Sequence, residues 1–293
     1  MEKDLGECAI LEEFLRRRPP CHQTCTRKKF PSYYKAGIGK GCWVAHTALC
    51  MLEATMIKDD ILPILERKAV KWRTLFLTLL LHDSGKLSKE YVLSKTPKIP
   101  HNEISAQIAH DALKKLQGKN YLDDNEVKVI SRVCFLHMEY YEWKNLLKGG
   151  YATISQTTTP GATIELSDDV KIPLENLKLV LEEAGLLNEV IHAIIFEIPS
   201  LKKLKLMPSN YTIDKYTSKE ICLKAMTLQW FVLLLDNRAS SARTGIDAYW
   251  AKSFKKVRGS IVKPYSNPET IIEFSDNLLK MLRGRLTPLP KTY

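Results

Sequence analysis

No apolar run in the 293 residues approaches the ~18 that a membrane-spanning helix needs; runs such as Phe231 to Leu235 and Leu79 to Leu81 are sized for a core. The first residues, Met1-Glu2-Lys3-Asp4, are charged and no apolar stretch follows them, so a secretory signal is not expected and the chain reads as cytoplasmic. A G-x-x-x-x-G-K-[ST] loop is missing, since Gly37-Ile38-Gly39-Lys40-Gly41 is too short, and this excludes a P-loop motor. The G-x-S-x-G elbow of serine hydrolases is also missing. Cysteines number seven, an odd and scattered set that does not suit a disulfide framework in a chain of this length. Cys21 and Cys25, with His22 between them, have the spacing of half a zinc site, but no second pair follows.

The chain does contain enough apolar residues for a core: 45% are hydrophobic and 26% charged, an ordinary globular balance. Net charge is +11, and it sits at the two ends. Residues 1–42 carry nine lysines and arginines against five acidic residues, and residues 237–293 carry eleven against four. The span 43–236 holds twenty-four of each and is neutral. Cationic flanks around a neutral middle suit a polyanion partner, though a solvated basic surface would look the same. Tyr33, Tyr34, Tyr249, Trp250 and Phe254 lie among these charges, either to stack on bases or to anchor the flanks on the core.

Apolar periodicity reads as helix almost throughout. Val44, Leu49 and Leu52 form one stripe; the segment from Trp72 to Leu81 forms a second helix. Ile104, Ile108, Ala112 and Leu116 recur at four-residue steps up to a stop at Asn120, and Val127, Ile130, Val133 and His137 form another stripe. Ile221 to Asp236 is strongly apolar, and two further basic helices are expected over 246–258 and 268–283. The exception is 149–173, where a Thr/Ser-rich stretch leads to two short segments, 163–166 and 170–173, around Ser167-Asp168-Asp169; this predicts a β-hairpin inserted between helices. The expectation is one all-α domain over 1–293 with a small hairpin insertion.

The chemistry-bearing residues are His46, His82-Asp83, His101, His137 and Asp236. His82 and Asp83 end the 72–81 helix. Neighbours on a helix point about 100° apart, but at an unwinding end both can turn inward, and Gly85 in a left-handed conformation would stop the helix there. His137 shares the apolar stripe of its helix, and Asp236 closes the apolar run that ends at Leu235. An unpaired carboxylate in such a place is costly, whereas a cation satisfies it. Imidazole with carboxylate suits Mn, Fe, Co, Ni or Zn better than Ca or Mg.

This order of residues on helices resembles the HD phosphohydrolase superfamily, and more closely the stand-alone HD nuclease of CRISPR type I interference, without the fused helicase. The residues carrying the resemblance are Leu81-His82-Asp83-Ser84-Gly85-Lys86-Leu87, Pro100-His101-Asn102-Glu103-Ile104-Ser105-Ala106, Leu136-His137 and Leu235-Asp236-Asn237-Arg238-Ala239-Ser240, within a span of about 43–245. It implies an HD-type helical bundle with one or two divalent transition metal ions. His46, His82, Asp83 and Asp236 would hold the first ion, and Asp83, His101 and His137 the second. Where such nucleases commonly carry a second consecutive histidine this chain has Met138, a poor ligand for a hard ion; water or Glu139 would then complete the second set.

The resemblance further implies a prokaryotic enzyme of antiviral defence, an endo- or exonuclease degrading single-stranded DNA beside a separate helicase subunit and an RNA-guided surveillance complex. Among candidate catalytic groups, Lys86 would neutralise a phosphate oxygen or lie as a surface lysine in a turn. Ser240 would donate to phosphate or cap a helix end. Lys252, Lys255, Lys256 and Arg258 are the candidate strand contacts. Two other readings share the metal ligands: an HD nucleotide phosphohydrolase acting on dNTPs or cyclic nucleotides, and an HD fold kept as an inactive structural subunit.

Overall fold

The computed structural model describes residues 6–22, 25, 29–35, 38–94, 98–119, 121–137, 160–183, 187–207, 211, 217–244, 256–257 and 260–261. These form α1 (Gly6–Leu15), β1 (Tyr33–Lys35), β2 (Ile38–Lys40), α2 (Trp43–Met56), α3 (Lys58–Arg67), α4 (Trp72–Leu81), α5 (Lys89–Leu93), α6 (His101–Gln117) and α7 (Asp124–Leu136). They continue with β3 (Thr163–Glu165), α8 (Lys171–Glu183), α9 (Asn188–Ser200), β4 (Lys203–Lys205), α10 (Lys219–Ser241), β5 (Lys256–Val257) and β6 (Ser260–Ile261). The chain is therefore all-α with short antiparallel strand pairs. No helix among the described residues is long and apolar enough to cross a membrane.

The core is built from α2, α4, α6, α7 and α10. α6 packs along α7, α10 lies against both α2 and α7, and α4 bridges α2 and α7. α2 buries Trp43 through Ala54 without a break, so its polar residues His46, Thr47 and Glu53 are carried inside with the apolar ones. Glu53 answers this by pairing with Arg238 of α10, at 2.9 Å from Nε and 2.5 Å from Nη2, both groups fully buried. α7 starts with a capping box between Asp123 and Glu126. Glu126 also accepts bonds from Arg73 Nε at 2.9 Å, Arg73 Nη2 at 2.6 Å and Thr74 at 3.1 Å, which ties the start of α7 to α4.

The structure departs from several of these expectations. Segment 163–165 is a strand, but its partner is 203–205, in the register Ile164 opposite Leu204. Residues 171–183 form α8, because Leu174, Leu177, Val180 and Leu181 repeat at helical spacing and are buried. The strand pair thus clasps the base of the α8–α9 excursion instead of turning back at 167–169; residues 149–159 lie outside the described residues. The helix expected to reach 258 is not helical at 256–257, which pair with 260–261; the rest of it, and 268–283, lie outside the described residues. The Ile221–Asp236 helix runs on to Ser241, so Asp236 sits within α10.

Candidate metal centre

α4 ends at Leu81, and His82 keeps a helical backbone (φ −54°, ψ −36°) while Asp83 leaves it (φ −106°, ψ 9°). This one-residue departure turns both side chains into the same interior. The next residues, Ser84–Leu87, form a 3-10 turn that presses on the start of α6. A Cβ on Gly85 would lie 2.0 Å from the His101 carbonyl oxygen, and the Gly85 N–H donates to Ser105 Oγ at 2.8 Å. Gly85 is therefore required by close approach of two backbones; its φ is not in the left-handed region expected of a helix stop.

His101 is the first residue of α6 and His137 follows the last residue of α7. The α7 end is held by side chains: Asn102 Nδ2 donates to Phe135 O at 2.6 Å and Gln229 Nε2 to Leu136 O at 2.5 Å. These bonds satisfy carbonyls that a helix end leaves open. His46 comes from α2 and Asp236 from α10.

All six predicted ligands converge. His46 Nε2 lies 2.9 Å from Asp236 Oδ1 and 3.6 Å from Asp83 Oδ2, and His82 Nε2 lies 3.8 Å from Asp83 Oδ2 and 4.0 Å from Asp236 Oδ1. The other Asp83 oxygen, Oδ1, is 3.0 Å from His101 Nε2 and 3.4 Å from His137 Nε2, which are 3.3 Å from each other. The donor atoms fall into two groups that could each hold an ion: His46, Cys50, His82 and Asp236, and Asp83, His101 and His137. All but Asp236, which is partly exposed, are buried.

The chemistry of the donors fits a cation. His82 Nδ1 is 2.8 Å from Leu79 O and His137 Nδ1 is 2.7 Å from Cys134 O. Each imidazole thus places its N–H on a backbone carbonyl and turns the Nε2 lone pair to the centre. His82 Nε2 is buried there without a hydrogen-bond partner. Burial lowers the His82 pKa to about 4; burial, with Lys86 adding to it, does the same for His101. Both are therefore neutral ligands near pH 7.

Burial opposes charge on His46, but Cys50 and Asp236 beside it prevail and hold it well above the ordinary imidazole range; a bound cation would displace that proton. Burial would raise Asp83, yet Lys86, His82, His101 and His137 hold it well below the usual carboxylate range. Asp236 is likewise lowered, against burial, by His46 and His82.

The remaining predicted residues are placed differently from expectation. Lys86 is buried, not a surface lysine; its Nζ donates to Asp83 Oδ2 at 2.5 Å and to Ser32 O at 2.5 Å, so it braces the carboxylate. Ser240 Oγ donates to Asp236 Oδ1 at 3.3 Å. Tyr33 lies under the Arg243 guanidinium, 4.5 Å from ring centre, and is not a free stacking platform. Met138, Glu139, Tyr249, Trp250, Lys252, Phe254, Lys255 and Arg258 lie outside the described residues, and so do the side chains of Tyr34 and Lys256. Cys21 is buried and Cys25 exposed, and all seven cysteines are free thiols.

Three participants were missed by sequence reasoning. Cys50 stands one helical turn from His46 on α2, its Sγ 3.9 Å from His46 Nε2; that i, i+4 spacing was the available signal. Glu7 of α1 is fully buried and faces His46 Nδ1 at 3.5 Å, while accepting from Arg243 Nε at 2.9 Å, Cys42 N at 2.7 Å and Ser32 Oγ at 3.0 Å. Arg243 Nη2 is itself 3.3 Å from His46 Nδ1. Glu7 and Arg243 are distant in sequence, and nothing local marked them. No protein-family model matches the chain, and no curated protein or solved structure matches it either.

Proposed function

We propose that this protein is a metal-dependent nuclease that hydrolyses DNA phosphodiester bonds, single-stranded by preference, as the nuclease subunit of a CRISPR interference complex beside a separate helicase and the RNA-guided surveillance complex. The observation that carries the reading is the placement of Asp83 between two donor groups: its Oδ1 faces His101 and His137, and its Oδ2, held by Lys86, lies 3.6 Å from His46 Nε2 and 3.8 Å from His82 Nε2. That arrangement suits two adjacent divalent ions of the Mn, Fe, Co, Ni or Zn type.

Bound divalent ions would supply an attacking water acidified toward neutral pH and a positive field on the phosphoryl oxygens. The chain's own contribution is to hold the donors in register. Lys86 braces Asp83, Ser240 braces Asp236, and the backbone carbonyls of Leu79 and Cys134 fix the tautomers of His82 and His137. Burial of the histidines excludes bulk water, which strengthens every charge interaction there. Two cations counted toward a basic strand-binding flank are internal: Arg238 pairs with Glu53 and Arg243 with Glu7. Strand binding therefore rests on the other lysines and arginines of the two ends.

The test is cleavage of a single-stranded oligonucleotide after chelation and metal add-back, with dNTPs as rival substrates. Metal-dependent strand cleavage that falls below detection in Asp83→Ala, with strand affinity decreasing steeply with salt, is the expected result. Full cleavage after exhaustive chelation overturns the reading. Efficient dNTP turnover with salt-insensitive or absent strand binding would favour a nucleotide phosphohydrolase.

A further inference from the structure

We infer that the two halves of the centre are chemically unequal: Cys50 completes a four-donor, closed site with His46, His82 and Asp236, and Asp83, His101 and His137 form an open site where phosphate and water meet the ion. The inference deepens the metal-dependent reading above and rests on it.

The geometry points to Cys50 in three ways. It lies on α2 one turn from His46, its Sγ 3.9 Å from Nε2, inside the group whose donor atoms all fall within 4.8 Å of one another. The helix face therefore delivers imidazole and thiol to the same point, as i, i+4 pairs do. Next, His82 Nε2 is completely buried, makes no hydrogen bond and belongs to the same four-atom group. A lone pair held dry and unpartnered is what an ion would satisfy, independently of the cysteine. Third, Asp83 is not needed to complete this set, because its Oδ2 already accepts from Lys86 at 2.5 Å and its Oδ1 turns to His101 and His137.

A set of two imidazoles, one carboxylate and one thiolate is a complete tetrahedral shell for a borderline or soft ion. Protein-saturated shells of this kind hold structural ions, whereas three protein donors with a free position are the catalytic pattern. The division assigns different metals as well as different jobs. Thiolate selects zinc, iron or cobalt at the first position over magnesium or manganese, while the second, with no sulfur, accepts manganese. Chelation should consequently remove metal in two stages, the open ion first and activity with it.

The experiment is titration of metal-stripped full-length protein with Co(II), followed in the near-ultraviolet and visible, on wild type, Cys50→Ser and His101→Ala. In wild type the first equivalent should bring a thiolate-to-cobalt charge-transfer band. Cys50→Ser should lose the band and weaken the tight equivalent at least ~100-fold, beyond what loss of an outer-shell partner costs; His101→Ala should keep the band. Cobalt binding without the band in wild type, or a band that survives in Cys50→Ser, overturns the inference.

Should Cys50→Ser fail to fold, zinc-edge absorption on wild type decides. One sulfur at about 2.3 Å from the first zinc supports Cys50 ligation, and none overturns it. A folded wild type that takes up no metal would sink this inference and the metal-dependent reading together. A Cys50-dependent band in a protein that cuts no strand with any metal would leave this inference standing and remove the nuclease reading.

Discussion

The two donor groups are built by different structural means. In one, His46, Cys50 and Asp236 lie within α2 and α10, helices whose faces are locked by packing and by the buried Glu53–Arg238 pair, and only His82 stands at a helix end, capping α4. Asp83, His101 and His137 all stand at helix ends: just past α4, at the first residue of α6, and just past α7. Donors on helix faces inherit the rigidity of the core. Donors at helix ends gain freedom to converge from three directions, but depend on hydrogen bonds and close backbone contacts to stay there. A centre that needs one firm anchor and one exchangeable position can obtain both from this division.

The comparison can be broken most forcefully at the anchor. Glu53→Ala would leave Arg238 buried without its carboxylate, and unfolding free energy should fall by about 3–5 kcal/mol in denaturant titration. A loss under about 1 kcal/mol would mean that the face-borne group does not depend on this pair. A smaller effect is expected at the helix ends. In Gly85→Ala the new methyl must push away the His101 carbonyl, at a cost of about 1–3 kcal/mol. Metal titration should show the Asp83–His101–His137 equivalent weakened more than the other; equal weakening would contradict the division.

The smallest effect concerns acid. Burial would raise the Glu126 carboxyl, but Arg73, the Asp123 backbone N–H and Lys71 bring it down to about 2. A carboxyl lowered on folding stabilises the native state fully above its ordinary pKa near 4.5, and that contribution is lost as pH falls toward 2. Glu126→Gln should therefore narrow the stability difference from wild type as pH drops through this window. A constant difference from pH 6 to pH 2 would show that α4 and α7 are joined by packing alone.

Much of the centre was legible because its chemistry conflicts with its surroundings. A His-Asp pair closing the 72–81 helix, a histidine on the 127–137 stripe and a carboxylate after Leu235 each break a hydrophobic pattern, and each proved to face the interior. Cys50 was overlooked because a buried thiol breaks no pattern; it reads as one more small apolar residue on α2. Glu7 and Arg243 were overlooked for the opposite reason, since charge in a charged flank looks solvated until tertiary contacts bury it.

The same blindness to distance explains the strand pair. Segment 163–165 has the short extended pattern of a hairpin arm, but the hydrophobic repeat of 174–181 claims its nearest neighbour for a helix, and 203–205 pairs instead. Gly85 was identified as necessary for the wrong reason. Glycine marks either a left-handed backbone or a crowded one, and only the position of α6 distinguishes them.

The placement of Asp236 on α10 has a consequence for how the chain is made. Vectorial synthesis delivers His46, Cys50, His82, Asp83, His101 and His137 long before Asp236. During that interval α2 and α7 lack α10, the helix that covers both, and their apolar faces stay available for wrong associations. Closure is a long-range event, and long-range contacts form later than local ones. A nascent chain paused after α7 would hold six of the seven donors gathered beside an unsealed core, so metal arriving early would meet an incomplete chelate instead of a finished centre.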